Sequence, residues 1–246
     1  MDRWKDKVAI VTGASSGIGQ SIAQALIKNG LKVVGLARRL EKMEEWKNEM
    51  KNEKGKFFPI QCDLTNEEDI LKAFDWIKKE LGGVNILVNN AGTSSIGMII
   101  ESSTESYKKI IDLNVIAPAI CIRESVKIMR DNKTAGHIIN INSTKGKSTE
   151  KSTVFCNMYC PSKFALKAMT EVIEQELQHV ESTIKITSVH PGLVKTDLVL
   201  KNVLERFPYV DVEDISEGVI YALSTPPHVQ VKDVTITPVP GRLRQK

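Results

Sequence analysis

A tyrosine and a lysine four residues apart open the stretch MYCPSKFALKAMTEVIEQEL, which runs from Met158 to Leu177. A helix places residues i and i+4 on one face, so this spacing predicts that Tyr159 and Lys163 lie side by side. Pro161 is tolerated only in the first turn of a helix, which puts the pair at the amino-terminal end. A phenol has a pKa of about 10, and a neighbouring cation lowers it. The pair is therefore predicted to exchange a proton with a substrate.

A serine, Ser143, ends the segment HIININS, one loop before this tyrosine. Its hydroxyl group could hold a substrate oxygen while Tyr159 gives or takes the proton. Tyr-x-x-x-Lys alone also occurs by chance as a pair of surface residues. Together with Ser143 and a nucleotide-binding loop, the pattern becomes much more specific for catalysis.

A glycine-rich loop, TGASSGIG, lies between an apolar segment and a helical pattern near the amino terminus. Glycine lets the backbone approach a ligand closely, and the free amide groups at a helix start face a pyrophosphate. In a strand–loop–helix context this pattern is typical of dinucleotide binding, and the alternative is a simple turn. The predicted contacts of the loop with the cofactor are Gly13, Ser15, Ser16, Gly17, Ile18 and Gly19.

Two arginines, Arg38 and Arg39, follow the second apolar segment. Folds that select NAD usually carry an acid at this point for the ribose 2′-hydroxyl, whereas arginine suits the 2′-phosphate of NADP. No acid appears until Glu41. The sequence therefore favours NADP over NAD, and the alternative is that both arginines are solvated residues at a helix start.

Short apolar segments alternate with helical patterns along the whole chain. This alternation predicts a Rossmann-type, doubly wound α/β fold with a parallel sheet between two layers of helices in a single domain. Ligands bind such sheets beyond the carboxyl ends of the strands, where the motifs above are located. The predicted strands are residues 7–12, 31–37, 56–62, 85–90, 137–143, 184–190 and 233–238. The predicted helices are residues 18–28, 41–52, 66–81, 106–131, 158–180 and 212–223.

Composition and charge make several classes of function improbable. The chain has 246 residues, of which 41% are hydrophobic and 26% charged, and its formal net charge is +4. A charge this small, spread over short runs, predicts a solvated surface and no nucleic-acid partner. Without a leading apolar run or a long apolar stretch, we expect a cytoplasmic protein with no membrane span. Scattered histidines predict no metal site. Reduced thiols are the expectation for the four cysteines, Cys62, Cys121, Cys156 and Cys160.

Seven motifs in a characteristic order give the chain a family resemblance. They are TGASSGIG, CDL at 62–64, NNAG at 89–92, LNV around Asn114, Ser143, YCPSK, and HPGLVKTDL from His190. With them, the chain resembles the short-chain dehydrogenase/reductase family over nearly its whole length. Stretches such as KVVGLARR and YALSTPPHVQVKDV resemble the subgroup that contains insect farnesol dehydrogenases and the vertebrate family member 11.

The resemblance implies roles for individual residues. The catalytic set would be Asn114, Ser143, Tyr159 and Lys163, with Asn114 holding a water that relays protons through Lys163. The alternative is that Asn114 only caps backbone groups in a helix. Residues 7–92 would mainly bind the dinucleotide, and residues 93–246 would carry catalysis and the substrate. Further cofactor contacts would be Asp63, Leu64, Asn90, Ala91, Gly92, Tyr159, Lys163, Pro191, Gly192, Val194 and Thr196.

Three loops, residues 93–102, 144–158 and 193–210, are predicted to shape the substrate pocket. Their apolar side chains suit a lipophilic alcohol or ketone, and for any one of them the alternative is loop packing. Beside Ser143 and Tyr159, the substrate contacts are predicted to be Phe155 and Leu193. The other candidates are Ile96, Met98, Val154, Met158, Leu198, Val199, Val203 and Phe207.

The leading hypothesis is an NADP-dependent oxidoreductase acting on a farnesol-like alcohol. One alternative is the same chemistry on steroids or on many carbonyl compounds. Another is a non-catalytic, nucleotide-binding regulatory protein, which ranks last because Ser143, Tyr159 and Lys163 are all present. The resemblance also implies a homodimer or homotetramer in which the helices at 106–131 and 158–180 pair between subunits.

Overall fold

A parallel sheet forms the centre of the protein. The computed structural model describes residues 1–149 and 155–239. The strands are β1 (Val8–Thr12), β2 (Lys32–Ala37), β3 (Lys56–Gln61), β4 (Ile86–Asn89), β5 (His137–Ile141), β6 (Lys185–Pro191) and β7 (Asp233–Ile236). Their order across the seven-stranded sheet is β3-β2-β1-β4-β5-β6-β7, with neighbours parallel. From β1 the strands are added first towards one edge of the sheet, as β2 and β3, and then from β4 towards the other edge. The crevice where doubly wound folds bind ligands lies at this switch between β1 and β4. The predicted Rossmann-type fold is confirmed.

Helices pack on both faces of this sheet. They are α1 (Gly17–Lys28), α2 (Leu40–Glu49), α3 (Glu67–Leu81), α4 (Thr104–Ile111), α5 (Ala117–Asp131), α6 (Tyr159–His179), α7 (Lys201–Arg206) and α8 (Val212–Ser224). Successive strand residues point to opposite faces, so Val11 packs with α1, α2 and α8 while Ile10 packs with α3, α5 and α6. Short 3₁₀ turns lie at Asp2–Trp4, Ile99–Glu101 and Thr144–Gly146.

The helix predicted over residues 106–131 is interrupted. Between α4 and α5 the chain forms a π-helical turn, Asp112–Ile116, which contains the buried side chain of Asn114. The helical stretch also begins earlier than predicted, because the side chain of Ser103 caps it by accepting a hydrogen bond from the Ser106 amide. Hydrophobic periodicity shows which side of a helix is buried, and it does not reveal a local change to i→i+5 bonding.

Among the described residues, no helix is long and apolar enough to cross a membrane, and no group of side chains is arranged as a metal site. The four cysteines form no disulfide. The helices predicted to pair between subunits expose apolar side chains at Ile116, Phe164 and Val172, and the oligomer stays a prediction.

Candidate active site

A cavity of about 960 Å³ lies where the carboxyl ends of β1, β2, β4, β5 and β6 meet. It gathers most of the residues that the sequence predicts for cofactor and catalysis. Those that line it are Gly13, Ser15, Ser16, Gly17, Ile18, Arg38, Arg39, Asp63, Leu64, Asn90, Ala91, Gly92, Ser143, Tyr159, Lys163, Pro191, Gly192, Leu193, Val194 and Thr196. Gly19, Asn114 and Phe155 are described by the structure but are not part of the lining.

The glycine-rich loop forms one end of this cavity. Gly13 and Gly17 adopt φ values of 69° and 58°, in the left-handed region that favours glycine. A Cβ atom on Gly19 would collide with the side chain of Asn90 and the carbonyl oxygen of Gly13. Thr12 Oγ1 ties this loop to the end of β4, because it accepts hydrogen bonds from the amides of Asn90 (2.9 Å) and Ala91 (3.0 Å). The result is an open backbone cradle at the start of α1.

Two arginines stand beside the cradle, and they differ in their contacts. Arg39 Nη2 donates hydrogen bonds to the hydroxyl groups of Ser15 (3.0 Å) and Ser16 (2.8 Å). Its guanidinium group therefore lies directly against the glycine-rich loop. Arg38 lines the cavity without such a contact and lies near Asp63, whose pKa is lowered mainly by hydrogen bonds from Thr65.

A buried lysine lines the cavity, and a buried asparagine lies behind the lining. Lys163 Nζ donates a hydrogen bond to the carbonyl oxygen of Ile141 (2.9 Å), and burial lowers the pKa of Lys163 to about 8. Asn114 Nδ2 donates to the carbonyl of Thr93 and to Ser162 Oγ, both at 2.9 Å, while Asn114 Oδ1 accepts from the Thr93 amide at 2.8 Å. These contacts hold the loop after β4 against the first turn of α6. The water relay through Asn114 stays a prediction.

Tyr159 begins α6 beside Ser143, and Pro161 lies in the first helical turn as predicted. The amide of Tyr159 donates to the Cys156 carbonyl at 2.9 Å, which sets the turn that leads into the helix. The Ser143 hydroxyl interacts with the Tyr159 phenol. Lys163 Nζ lies 5.8 Å from the centre of the tyrosine ring. One wall of the cavity thus holds the phenol of Tyr159, the hydroxyl group of Ser143 and the ammonium group of Lys163.

We expected a lowered pKa for Tyr159, but the pKa of Tyr159 is raised. Burial has the largest effect and raises the pKa of Tyr159, and the contact with Ser143 opposes it. Burial also lowers the pKa of Lys163 to about 8, so the lysine loses its proton before the phenol does. At neutral pH the pair is therefore a protonated phenol beside a protonated amine.

The substrate side of the cavity differs from the prediction at Phe155. Phe155 is 67% exposed and points away from the cavity, whereas its neighbour Cys156 lines it. The Gly97 amide donates to the Phe155 carbonyl and the Asn157 amide donates to the Gly97 carbonyl, both at 3.0 Å. This pairing holds the segment extended, so adjacent side chains point in opposite directions.

Apolar side chains still dominate that side. Met98 and Met158 do not line the cavity, and Val154 falls outside the described residues. Short helix α7, which the sequence does not predict, adds to the wall. The predicted apolar residues that line the cavity are Ile96, Leu193, Leu198, Val199, Val203 and Phe207.

Three polar residues organise the site through contacts that the sequence motifs do not reveal. Thr12 joins two strand ends, and Thr93 and Ser162 hold Asn114. Their partners lie from 21 to 79 positions away along the chain, so local spacing cannot identify them. Only the folded arrangement assigns them a role in positioning.

Comparison with known proteins agrees with this geometry. Residues 7–206 match the family model described as short chain dehydrogenase. The chain belongs to the short-chain dehydrogenase/reductase family. It is 41% identical to dehydrogenase/reductase SDR family member 11 of Bos taurus and to the farnesol dehydrogenase of Aedes aegypti. Each match covers 97% of this chain and 98% of the relative. The family and subgroup predicted from the motifs are confirmed.

A solved structure of the same fold class adds information on the cofactor end. The closed form of a serine dehydrogenase complexed with NADP⁺ superimposes with a TM-score of 0.85 at 26% identity. The match covers 97% of this chain and 98% of that protein. Membership of this family makes the protein an oxidoreductase. The solved structure with bound NADP⁺ supports a nicotinamide cofactor.

Proposed function

We propose that the protein interconverts a lipophilic alcohol and its aldehyde or ketone with NADP, and that Tyr159 transfers the proton. The observation that carries this proposal is the placement of Tyr159, Ser143 and Lys163 on one wall of a cavity that begins at the glycine-rich cradle. NADP supplies or accepts the hydride when it is bound. The remaining chemistry belongs to side chains of this chain.

The protonation states of the site favour carbonyl reduction at neutral pH. Burial raises the pKa of Tyr159, so the phenol keeps its proton and can donate it to a carbonyl oxygen. The Ser143 hydroxyl group would hold that oxygen. The phenolate left after transfer would be stabilised by the Lys163 ammonium group, which is still protonated below a pH of about 8. Alcohol oxidation would follow the same path in reverse and would gain rate as pH rises.

The residues at the cradle fit a dinucleotide with a 2′-phosphate. The open backbone around Gly13 and Gly17 leaves room for a pyrophosphate at the start of α1. Arg39 and Arg38 would bind the 2′-phosphate, with Arg39 closer to the loop because it contacts both serines. The relative solved with NADP⁺ supports this choice. The nicotinamide end would lie against Lys163 and the segment from Pro191 to Thr196.

Replacing Arg39 with aspartate should reduce kcat/KM for NADPH by ~10-fold or more and raise the ratio of NADH to NADPH use. The change substitutes repulsion for a charge-assisted hydrogen bond, an interaction that contributes ~1.5–3 kcal/mol. Initial rates with both cofactors provide the measurement. Lys42→Asp on α2 is the matched control, since it alters charge equally on an exposed residue outside the cavity. Wild-type enzyme that uses NADH better than NADPH would contradict the proposal.

The substrate class follows from the walls of the cavity. Leu193, Leu198 and Phe207 add apolar surface to the cavity that Ser143 and Tyr159 also line. A long isoprenoid aldehyde would match this combination, with its carbonyl at Ser143 and Tyr159. The insect relative is named for farnesol, which supports the same class.

A panel of carbonyl compounds tests the function directly. NADPH oxidation would be followed with farnesal, a steroid ketone, and acetone as a small control. We expect kcat/KM for farnesal to exceed that for acetone by at least ~100-fold, because each buried methylene contributes ~0.8 kcal/mol. Preference for the steroid would favour the broader carbonyl reductase. Tight NADPH binding without turnover of any compound would favour the non-catalytic alternative.

A further inference from the structure

A buried histidine at the end of β6 contacts two acceptors. His190 Nδ1 lies 3.1 Å from the carbonyl oxygen of Ser143, and His190 Nε2 lies 2.6 Å from Asp233 Oδ1. The His190 side chain is completely buried, whereas Asp233 on β7 is partly exposed. The histidine therefore links the last strand of the sheet to the backbone of the serine in the candidate active site.

That backbone has few other supports. The Ser143 carbonyl also accepts a hydrogen bond from the Gly146 amide at 2.9 Å, and the preceding Asn142 amide donates to Val189 at 2.7 Å. Ser143 Oγ accepts from the Lys145 amide at 3.1 Å and interacts with Tyr159. A shift of the Ser143 peptide would thus move its hydroxyl relative to the phenol.

Two lysines lie near the carboxyl group of Asp233. Lys147 Nζ lies 3.8 Å from Asp233 Oδ1 and donates a hydrogen bond to Thr235 Oγ1 at 3.0 Å. Lys167 on α6 also interacts with Asp233. Asp233 thus interacts with two lysines as well as with His190.

The two contacts of His190 favour a proton on each ring nitrogen. A carbonyl oxygen and a carboxylate oxygen both accept hydrogen bonds and neither can donate. If His190 were neutral, one nitrogen lone pair would face an oxygen lone pair at hydrogen-bonding distance. Imidazole binds a proton more strongly than a carboxylate does, which places the shared proton on His190. The pKa of His190 is nevertheless lowered, because burial, with a smaller effect of Lys147, outweighs the opposing effects of Ser143 and Asp233. The protonation state of the ring is therefore a sharp test.

We propose that His190, doubly protonated and paired with Asp233, is a positioning residue that holds Ser143 in place for proton transfer by Tyr159. The inference rests on the proposed oxidoreductase function and adds a residue to it. The variant Asp233→Asn separates two effects of His190. It should remove the charge on the ring and keep the hydrogen bond to Ser143.

The first experiment is nitrogen-15 NMR of His190, assigned with His190→Leu. In wild-type protein at pH 7, both ring nitrogens should carry protons. In Asp233→Asn, the new amide can donate to Nε2, so the ring should be neutral and keep its proton on Nδ1 for Ser143. A neutral ring in wild-type protein at pH 7 would overturn the paired state. This measurement does not depend on turnover and stands even if the proposed function fails.

The second experiment compares kinetics of carbonyl reduction. His190→Leu should lower kcat ~10-fold with a less than ~2-fold change in KM for NADPH, since one hydrogen bond at the serine is lost. Asp233→Asn should retain kcat within ~3-fold. His137→Leu is the control, because His137 is equally buried at the opposite end of β5, away from the cavity. It should lower thermal stability with kcat unchanged.

The outcomes are distinguishable. An unchanged kcat in a folded His190→Leu protein would overturn the positioning role, as would an equal loss of kcat in His137→Leu. Should His190→Leu fail to fold, a large loss of kcat in Asp233→Asn with the Nδ1 proton retained would contradict the proposal. Wild-type protein that reduces no carbonyl compound would instead contradict the proposed function.

Discussion

Replacing Tyr159 with phenylalanine should lower the rate of carbonyl reduction by ~10²–10⁴-fold while leaving the affinity for NADPH nearly unchanged. The change removes the only atom that would transfer the proton and keeps the ring that packs at the start of α6. The glycine-rich cradle and the arginines beside it would be untouched. A loss confined to the chemical step is the signature of a proton donor.

Single-turnover rates and fluorescence titration with NADPH would separate the two effects. Tyr221→Phe provides the matched control, because this tyrosine lies on α8, is 60% exposed and does not line the cavity. It should behave as wild type in both measurements. If Tyr159→Phe binds NADPH and reduces substrate at the wild-type rate, the proposed proton transfer is wrong.

Replacing Lys163 with methionine should lower the rate of reduction by ~10–10³-fold, the effect expected when a phenolate loses a neighbouring cation. Methionine preserves much of the buried volume and removes the charge. Affinity for NADPH should also fall, because Lys163 lies on the wall where the nicotinamide ribose is proposed to bind. A simultaneous change in both quantities would distinguish this variant from Tyr159→Phe.

The pH dependence of the wild-type protein provides a second measure of Lys163. Its pKa is about 8, so the ammonium form is complete well below that value and disappears above it. Carbonyl reduction should therefore decline as pH rises through about 8, and Lys163→Met should lack this decline. Lys167→Met is the control, since Lys167 lies one turn further along α6 and pairs with Glu171 at the surface. A wild-type rate that stays constant to pH 9.5 would contradict this role.

Much of the candidate site could be predicted because its information is local in the chain. The i, i+4 spacing of Tyr159 and Lys163 and the proline between them are properties of a single helical turn. The glycines of TGASSGIG likewise specify one strand–loop–helix unit. Alternation of apolar strands with helices sets a parallel sheet, and a parallel sheet brings all the loops after its strands to one edge. The sequence therefore determines the fold class and which loops meet.

The sequence-based predictions fail where burial or contacts with distant residues determine the direction or the pKa of a side chain. The side chain of Phe155 points outward because its carbonyl group accepts a hydrogen bond from the amide of Gly97, which lies far away in the chain. Burial changes the pKa values of Tyr159 and Lys163 in directions that spacing cannot indicate, because desolvation depends on every element that covers them. Asn114 lies in a π-helical turn whose bonding leaves the apolar pattern of α4 and α5 intact.

His190 shows, within a single motif, the difference between what local sequence predicts and what tertiary contacts decide. The sequence HPG identifies a strand end near a predicted cofactor loop, and nothing in its spacing points to Asp233 or to the carbonyl of Ser143. Those partners lie 43 and 47 positions away and come within hydrogen-bonding distance only when β5, β6 and β7 pair in register. Local sequence thus determines which chemical groups reach the active-site edge. The tertiary structure decides which of them touch and which protons they hold, because distance and desolvation depend on the packing of the whole domain.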